Sequence, residues 1–138
     1  MDQARPSMRE RPLSPHLQIY KWPVTMGTSI LHRITGLGLG LGTLVMAIWL
    51  VTVALGPEAY EQFQVLAGHW FGRFVLFGFT LALVYHMLNG VRHLAWDFGM
   101  GFKVATATAS GLWTYALTIL VTGAIWVFAY WSMGSIVL

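Results

Sequence analysis

His86 stands in a stretch, Phe74 to Val91, that holds no Asp, Glu, Lys or Arg and is long enough to be a membrane helix. An ionisable side chain at that depth is costly, and in membrane segments such residues mark cofactors, ion paths or proton relays. Gly90 and His93 follow at i+4 and i+7, on the same helical stripe. A glycine one turn from a histidine leaves room for a flat, bulky ligand. The chemistry this spacing points to is a haem held by an imidazole among membrane helices. A second set, Ser29, His32 and Arg33, opens an earlier apolar stretch, with Ser29, Arg33, Gly36 and Gly40 on one stripe. A hydroxyl there suits hydrogen bonding to a quinone carbonyl, and a guanidinium suits the negative charge that builds up during one-electron reduction. Each residue also has a plainer reading. An intramembrane histidine can serve only to hydrogen-bond one helix to another, a serine can bond back to its own helix, and an arginine can snorkel to phospholipid.

Three charge-poor stretches must position these groups: Ile34 to Leu55, Phe74 to Val91, and Val104 to Leu138. With 57% hydrophobic and 9% charged residues, the chain departs from soluble proteins, where about 25% are charged. Roughly 20 apolar residues cross the hydrocarbon. The expected fold is all-α, with three transmembrane helices in an up-down bundle and spans near 29–55, 72–93 and 110–131. Residues 1–22, with Pro6, Pro12 and Pro15, read as an irregular arm, and 23–138 as a single membrane domain. Pro23 suits the start of the first helix, Gly56-Pro57 its end, and Pro57 to Ala67 a short amphipathic turn of helix. The first apolar run is too long for a signal peptide. Gly36/Gly40 and Gly38/Gly42 favour close approach of another helix or of a planar cofactor.

The charges set an orientation. Arg5, Arg9, Arg11, Lys21 and Arg33 precede or open the first span, Arg92 and Lys103 follow the second, and Glu58 and Glu61 lie between. The positive-inside rule therefore places the N-terminus and the second loop in the cytoplasm, and explains the net charge of +3 without nucleic acid. His86 then lies roughly 9 Å inside the cytoplasmic end, at the level where the first span begins with Ser29, His32 and Arg33. His32, Arg33 and His93 can meet haem propionates there, while His69 falls on the opposite side. Asp97 is a candidate partner for Arg92 or His93, and Asn89 for helix packing. Trp96, Trp113, Trp126 and Trp131 read as belt aromatics.

The chain has no cysteine, which excludes disulfides, thiolate-held iron–sulfur clusters and a thiolate haem ligand. No second histidine matches the depth of His86 on another helix, so six-coordinate iron requires a ligand from a partner. Three helices leave no room for a globular catalytic unit. Chemistry on a water-soluble substrate therefore falls to other subunits.

Two segments carry a resemblance: Arg11 to Thr35 (RPLSPHLQIYKWPVTMGTSILHRIT) and His86 to Gly99 (HMLNGVRHLAWDFG). Both resemble the signatures of the cytochrome b556 subunits of succinate dehydrogenase, the membrane anchors of respiratory complex II. The likeness extends over nearly the whole chain, the residues before Arg11 excepted. It implies a second three-helix anchor, and with it an iron–sulfur subunit and a flavoprotein subunit held on the inner face of a bacterial cytoplasmic or mitochondrial inner membrane. It further implies that His86 is an axial ligand to haem b, the other ligand coming from the partner anchor. By the same resemblance Ser29 and Arg33 belong to a ubiquinone site, and His32 and Arg33 neighbour the haem propionates. His93 matches a motif position, and the chain itself holds no succinate site. The rivals are an anchor of a quinol:fumarate reductase and a structural or assembly protein without haem.

Overall fold

The computed structural model describes residues 21–134. The arm, 1–22, therefore falls almost wholly outside the described residues. Four helices follow: α1 Val24–Leu55, α2 Pro57–Gly68, α3 Trp70–Asp97 and α4 Val104–Ser132. Three of them, α1, α3 and α4, are long and apolar enough to cross a membrane. No strand occurs among the described residues.

Pro23 stands immediately before α1, and its carbonyl accepts from the Met26 and Gly27 amides, which supplies the first turn. Over its 32 residues α1 extends about 48 Å, well beyond the roughly 30 Å of a bilayer core. It stops where Gly56 and Pro57 break the helical ladder, and Pro57 then opens α2. The corner from α2 into α3 is tight because Gly72 packs directly on the α2 carbonyls of Leu66 and Ala67, where no side chain fits. His69 caps α3, its Nδ1 accepting from the Phe71 amide at 3.4 Å. At the far end α3 closes on Gly99, whose φ of 78° lets its amide turn back to the Trp96 carbonyl at 2.8 Å. The connection to α4 is short, and α4 begins at Val104, a full turn and more before the expected span at Ser110.

The three long helices run up, down and up. Thr28 of α1 lies beside Tyr85 of α3, while Gly42, farther along α1, faces Phe79, earlier in α3. Arg92 of α3 meets Ala107 and Ser110 of α4, and Arg73 meets Tyr130 at the opposite end. Small residues make these approaches possible. The buried face of α4 is Ala107, Gly111, Thr114, Thr118 and Thr122, and its threonines 114 and 118 bond back to carbonyls one turn earlier. A Cβ on Gly111 would come within 2.9 Å of Val24 and 3.3 Å of Thr28.

Burial is concentrated at one end. Thr28, Val84, Tyr85, Asn89, Arg92, Ala107 and Gly111 are buried, and all lie toward the end marked by Lys21 and Lys103. We call this the basic end, and the other the α2 end. Most large apolar side chains face outward, as they do in a chain whose solvent is lipid.

Candidate functional site

α1 turns toward α3 a stripe that includes Thr28, His32, Thr35, Gly36 and Gly42, at i, i+4, i+7, i+8 and i+14. His86 packs against its middle. The His86 imidazole lies flat on that of His32, with ring centroids 3.9 Å apart and planes 10° from parallel. Its Nδ1 is 3.2 Å from the His32 carbonyl oxygen and 3.2 Å from Thr35 Oγ1. Thr35 already donates its one hydroxyl proton toward its own helix, with Leu31 O at 2.7 Å and His32 O at 3.1 Å. The proton between His86 and these oxygens therefore sits on Nδ1, which donates to α1. In the neutral ring Nε2 then keeps its lone pair, the arrangement of an imidazole that can ligate a metal through one nitrogen and be held by the other.

Glycines shape the space around the ring. A Cβ on Gly36 would come within 3.0 Å of His86 Cε1, so a side chain there would push the ring back by a few tenths of an ångström. Gly90, one turn from His86 on α3, has open space where its Cβ would be. His93 joins the cluster from the other side, its ring 5.0 Å from His32 and 5.0 Å from Trp96. His32 Nδ1 is buried without a hydrogen-bond partner among the described residues. A buried orphan of that kind signals a group supplied from outside the chain.

His32, His86 and His93 do not converge as ligands, and no group of three metal-binding side chains occurs among the described residues. His32 of α1 does stand at the depth of His86, contrary to the expectation that no second histidine would, but the two cannot ligate one iron from opposite faces. Axial imidazoles approach iron by a nitrogen at the ring edge, whereas these two rings stack face to face.

Several sequence expectations change here. The stripe that meets His86 is His32, Thr35 and Gly36, rather than Ser29, Arg33, Gly36 and Gly40. One residue is about 100° of helical turn, so Arg33 beside His32 is exposed, and Ser29 is half-buried on the flank of the contact. The glycine pairs divide in the same way. Gly36 and Gly42 face α3, while Gly38 and Gly40 have open space. Trp113 and Trp131 are exposed, as belt residues would be, whereas Trp96 and Trp126 are half-buried and pack within the bundle.

Arg92 is the residue the sequence misplaces. It reads as a charge marking the end of a span, yet it is only 7% exposed. Its Nε donates to Ser110 Oγ at 2.9 Å, and Nη2 to the Ala107 carbonyl at 2.7 Å. Nη1 reaches Thr28 Oγ1 at 3.1 Å and Asn89 Oδ1 at 3.3 Å. The guanidinium carbon stands 4.1 Å from the Trp96 ring centroid, a stacked cation–π contact. One planar fork thus ties α1, α3 and α4 together. Arg92 turns into the bundle instead of toward Asp97, which is exposed. The Tyr85 hydroxyl donates to the Thr28 carbonyl at 2.7 Å, so the knot holds the residues next to both Ser29 and His86. The small polar residues Thr28, Asn89 and Ser110, all near ends of apolar runs, are the signal that could have found it.

Residues 7–125 match the model of a family described as the succinate dehydrogenase/fumarate reductase transmembrane subunit. The succinate dehydrogenase cytochrome b556 subunit of Paracoccus denitrificans is 42% identical over 100 residues, 72% of this chain and 77% of that protein. The cytochrome b556 subunit of Rickettsia felis is 37% identical over 118 residues, 86% of this chain and 92% of its own length. A mitochondrial relative, the cytochrome b560 subunit of Sus scrofa, is 36% identical over 115 residues, 80% of this chain and 66% of that one. With three apolar spans and this breadth of match, the chain belongs to the succinate dehydrogenase/fumarate reductase transmembrane subunit family.

Proposed function

We propose that this chain is the haem b-binding anchor of a succinate:ubiquinone oxidoreductase, with His86 as one axial ligand. The observation that carries the reading is the held imidazole: Nδ1 donates to the His32 carbonyl, Nε2 keeps its lone pair, and open space adjoins at Gly90. The relatives' names as cytochrome b subunits support it. When bound, the haem supplies a one-electron redox centre. The unpartnered Nδ1 of His32, together with Arg33 and His93, meets its propionates. Because His32 and His86 stack face to face, they would not hold one iron between them, and a second ligand would come from a second small anchor subunit. An iron–sulfur subunit and a flavoprotein subunit dock at the basic end, which faces the cytoplasm or the mitochondrial matrix and carries the N-terminus. The purified complex, reduced with dithionite, shows a b-type α-band against its oxidised spectrum under this reading. A featureless difference spectrum overturns it in favour of a structural anchor without haem.

Ser29 and Arg33 form this chain's share of the ubiquinone site. The Ser29 hydroxyl donates to a quinone carbonyl oxygen, and the exposed Arg33 guanidinium stabilises the charge that builds on it. Both lie on the flank of α1 that α3 leaves open, where a quinone and the iron–sulfur subunit can reach them. Loss of one such hydrogen bond is worth about 1.5 kcal/mol, roughly tenfold in rate. Ser29→Ala or Arg33→Leu therefore slows succinate:quinone reductase activity by about that factor, while succinate oxidation by an artificial dye stays near wild type. Equal loss in both assays would place the defect in assembly.

A further inference from the structure

The α2 end contains a second cavity, of about 570 Å³, that the haem and quinone reading does not use. It lies between the three spans and α2. Its floor is apolar and comes from all three spans, with Trp49 of α1, Leu76 of α3, and Ile125 and Trp126 of α4. Tyr60, Gln64, Arg73 and Tyr130 supply its polar groups, and no carboxylate lines it.

Arg73 is aimed into this space. It lies in the first turn of α3, where a snorkelling arginine would reach outward to bulk lipid. Instead its guanidinium leans across to α4, with Nη1 donating to the Tyr130 hydroxyl at 3.5 Å and its carbon 5.9 Å from the Tyr130 ring centroid. That single long bond uses one of five donors, and no salt bridge to Asp or Glu engages Arg73 among the described residues. A positive charge from the exposed Arg73 and hydroxyl and amide donors thus gather beside apolar side chains near the start of α3.

We propose that this cavity binds a phospholipid of the leaflet at the α2 end, its phosphodiester held by Arg73 and Tyr130 and one acyl chain lying against Leu76, Ile125 and Trp126. The fit is one of charge. A phosphodiester is an acceptor-only anion and matches a site that offers a cation and donors, with tail and head in the order the bilayer dictates. The volume lies within the roughly 300–1,000 Å³ typical of ligand sites. This inference is independent of the haem assignment.

The test uses the whole complex, reconstituted in vesicles of phosphatidylethanolamine and phosphatidylglycerol containing a phospholipid with a photoactivatable diazirine near the end of its acyl chain. Mass spectrometry after illumination should find the label concentrated at Leu76, Ile125 or Trp126 over the outward-facing Leu50 and Val127. In Arg73→Gln that preference falls by about tenfold, a loss of about 1.4 kcal/mol in binding, while the complex elutes as before in size exclusion. If Arg73→Gln does not assemble, Tyr130→Phe, which removes one hydroxyl, carries the same comparison with a smaller drop. Labelling spread evenly over all lipid-facing positions overturns the proposal, as it shows bulk lipid only. So does groove labelling that a short-chain quinone displaces, or absence of groove label because a partner subunit fills the space.

Discussion

Purified complex carrying His86→Ala is expected to lose its b-type difference spectrum. The imidazole is the group on α3 that α1 holds in place: Thr35 directs its hydroxyl proton to its own helix, and His86 Nδ1 lies within hydrogen-bond distance of the His32 carbonyl. If His86 is the ligand, alanine removes it while the backbone of Gly36 and Gly90 stays in place. Haem is then bound through the partner's single ligand or lost, and the b-type α-band shifts or disappears. The packing cost is small by comparison, since His86 is half-buried and the Arg92 knot does not use it. The complex therefore still assembles and still oxidises succinate with an artificial dye. An unchanged spectrum would mean that a different residue ligates the iron.

Arg92→Met is expected to destabilise the assembled bundle. It deletes three hydrogen bonds that join α3 to α1 and α4, and a fourth, to Asn89, within α3. At roughly 0.6 kcal/mol each, the average measured inside membranes, the loss is about 2 kcal/mol, close to a thirtyfold shift in the folded population. Freed acceptors on Thr28, Asn89 and Ser110 add to it, because lipid offers them no replacement. Arg92→Lys separates this role from that of a charge at the membrane surface. A lysine keeps the charge but has no planar fork to reach Ser110, Thr28 and Ala107 at once. Thermal unfolding of the complex should therefore show Arg92→Lys well below wild type and closer to Arg92→Met. Lysine at wild-type stability would return Arg92 to the surface reading.

How much of this was legible in the sequence depended on which physical signal carried it. Hydropathy and helix breakers placed α1 from Pro23 to Leu55 and a short helix after Pro57, because length and proline act locally. His86 stood out for the same reason, as one ionisable group in an apolar run. Facing was harder. A helix apolar all around has no hydrophilic side to mark the direction of its neighbours, so two polar stripes on α1, one residue apart, looked alike. Only contact with α3 distinguished His32 and Thr35 from Ser29 and Arg33. Arg92 was misplaced because a basic residue ending an apolar run normally marks the interface. Its burial depends on Ala107 and Ser110, which lie beyond the loop and inside what the sequence assigned to the rim of the last span.

The short connection between α3 and α4 has a bearing on how the chain enters a membrane. A nascent α3 that reached the lipid alone would bring a guanidinium whose Ala107 and Ser110 acceptors had not yet left the ribosome. Only Asn89 would be at hand on its own helix. Insertion is favoured once both acceptors have emerged and fold back across the turn at Gly99. A hairpin of α3 and α4 entering together would carry its arginine already shielded between the two spans.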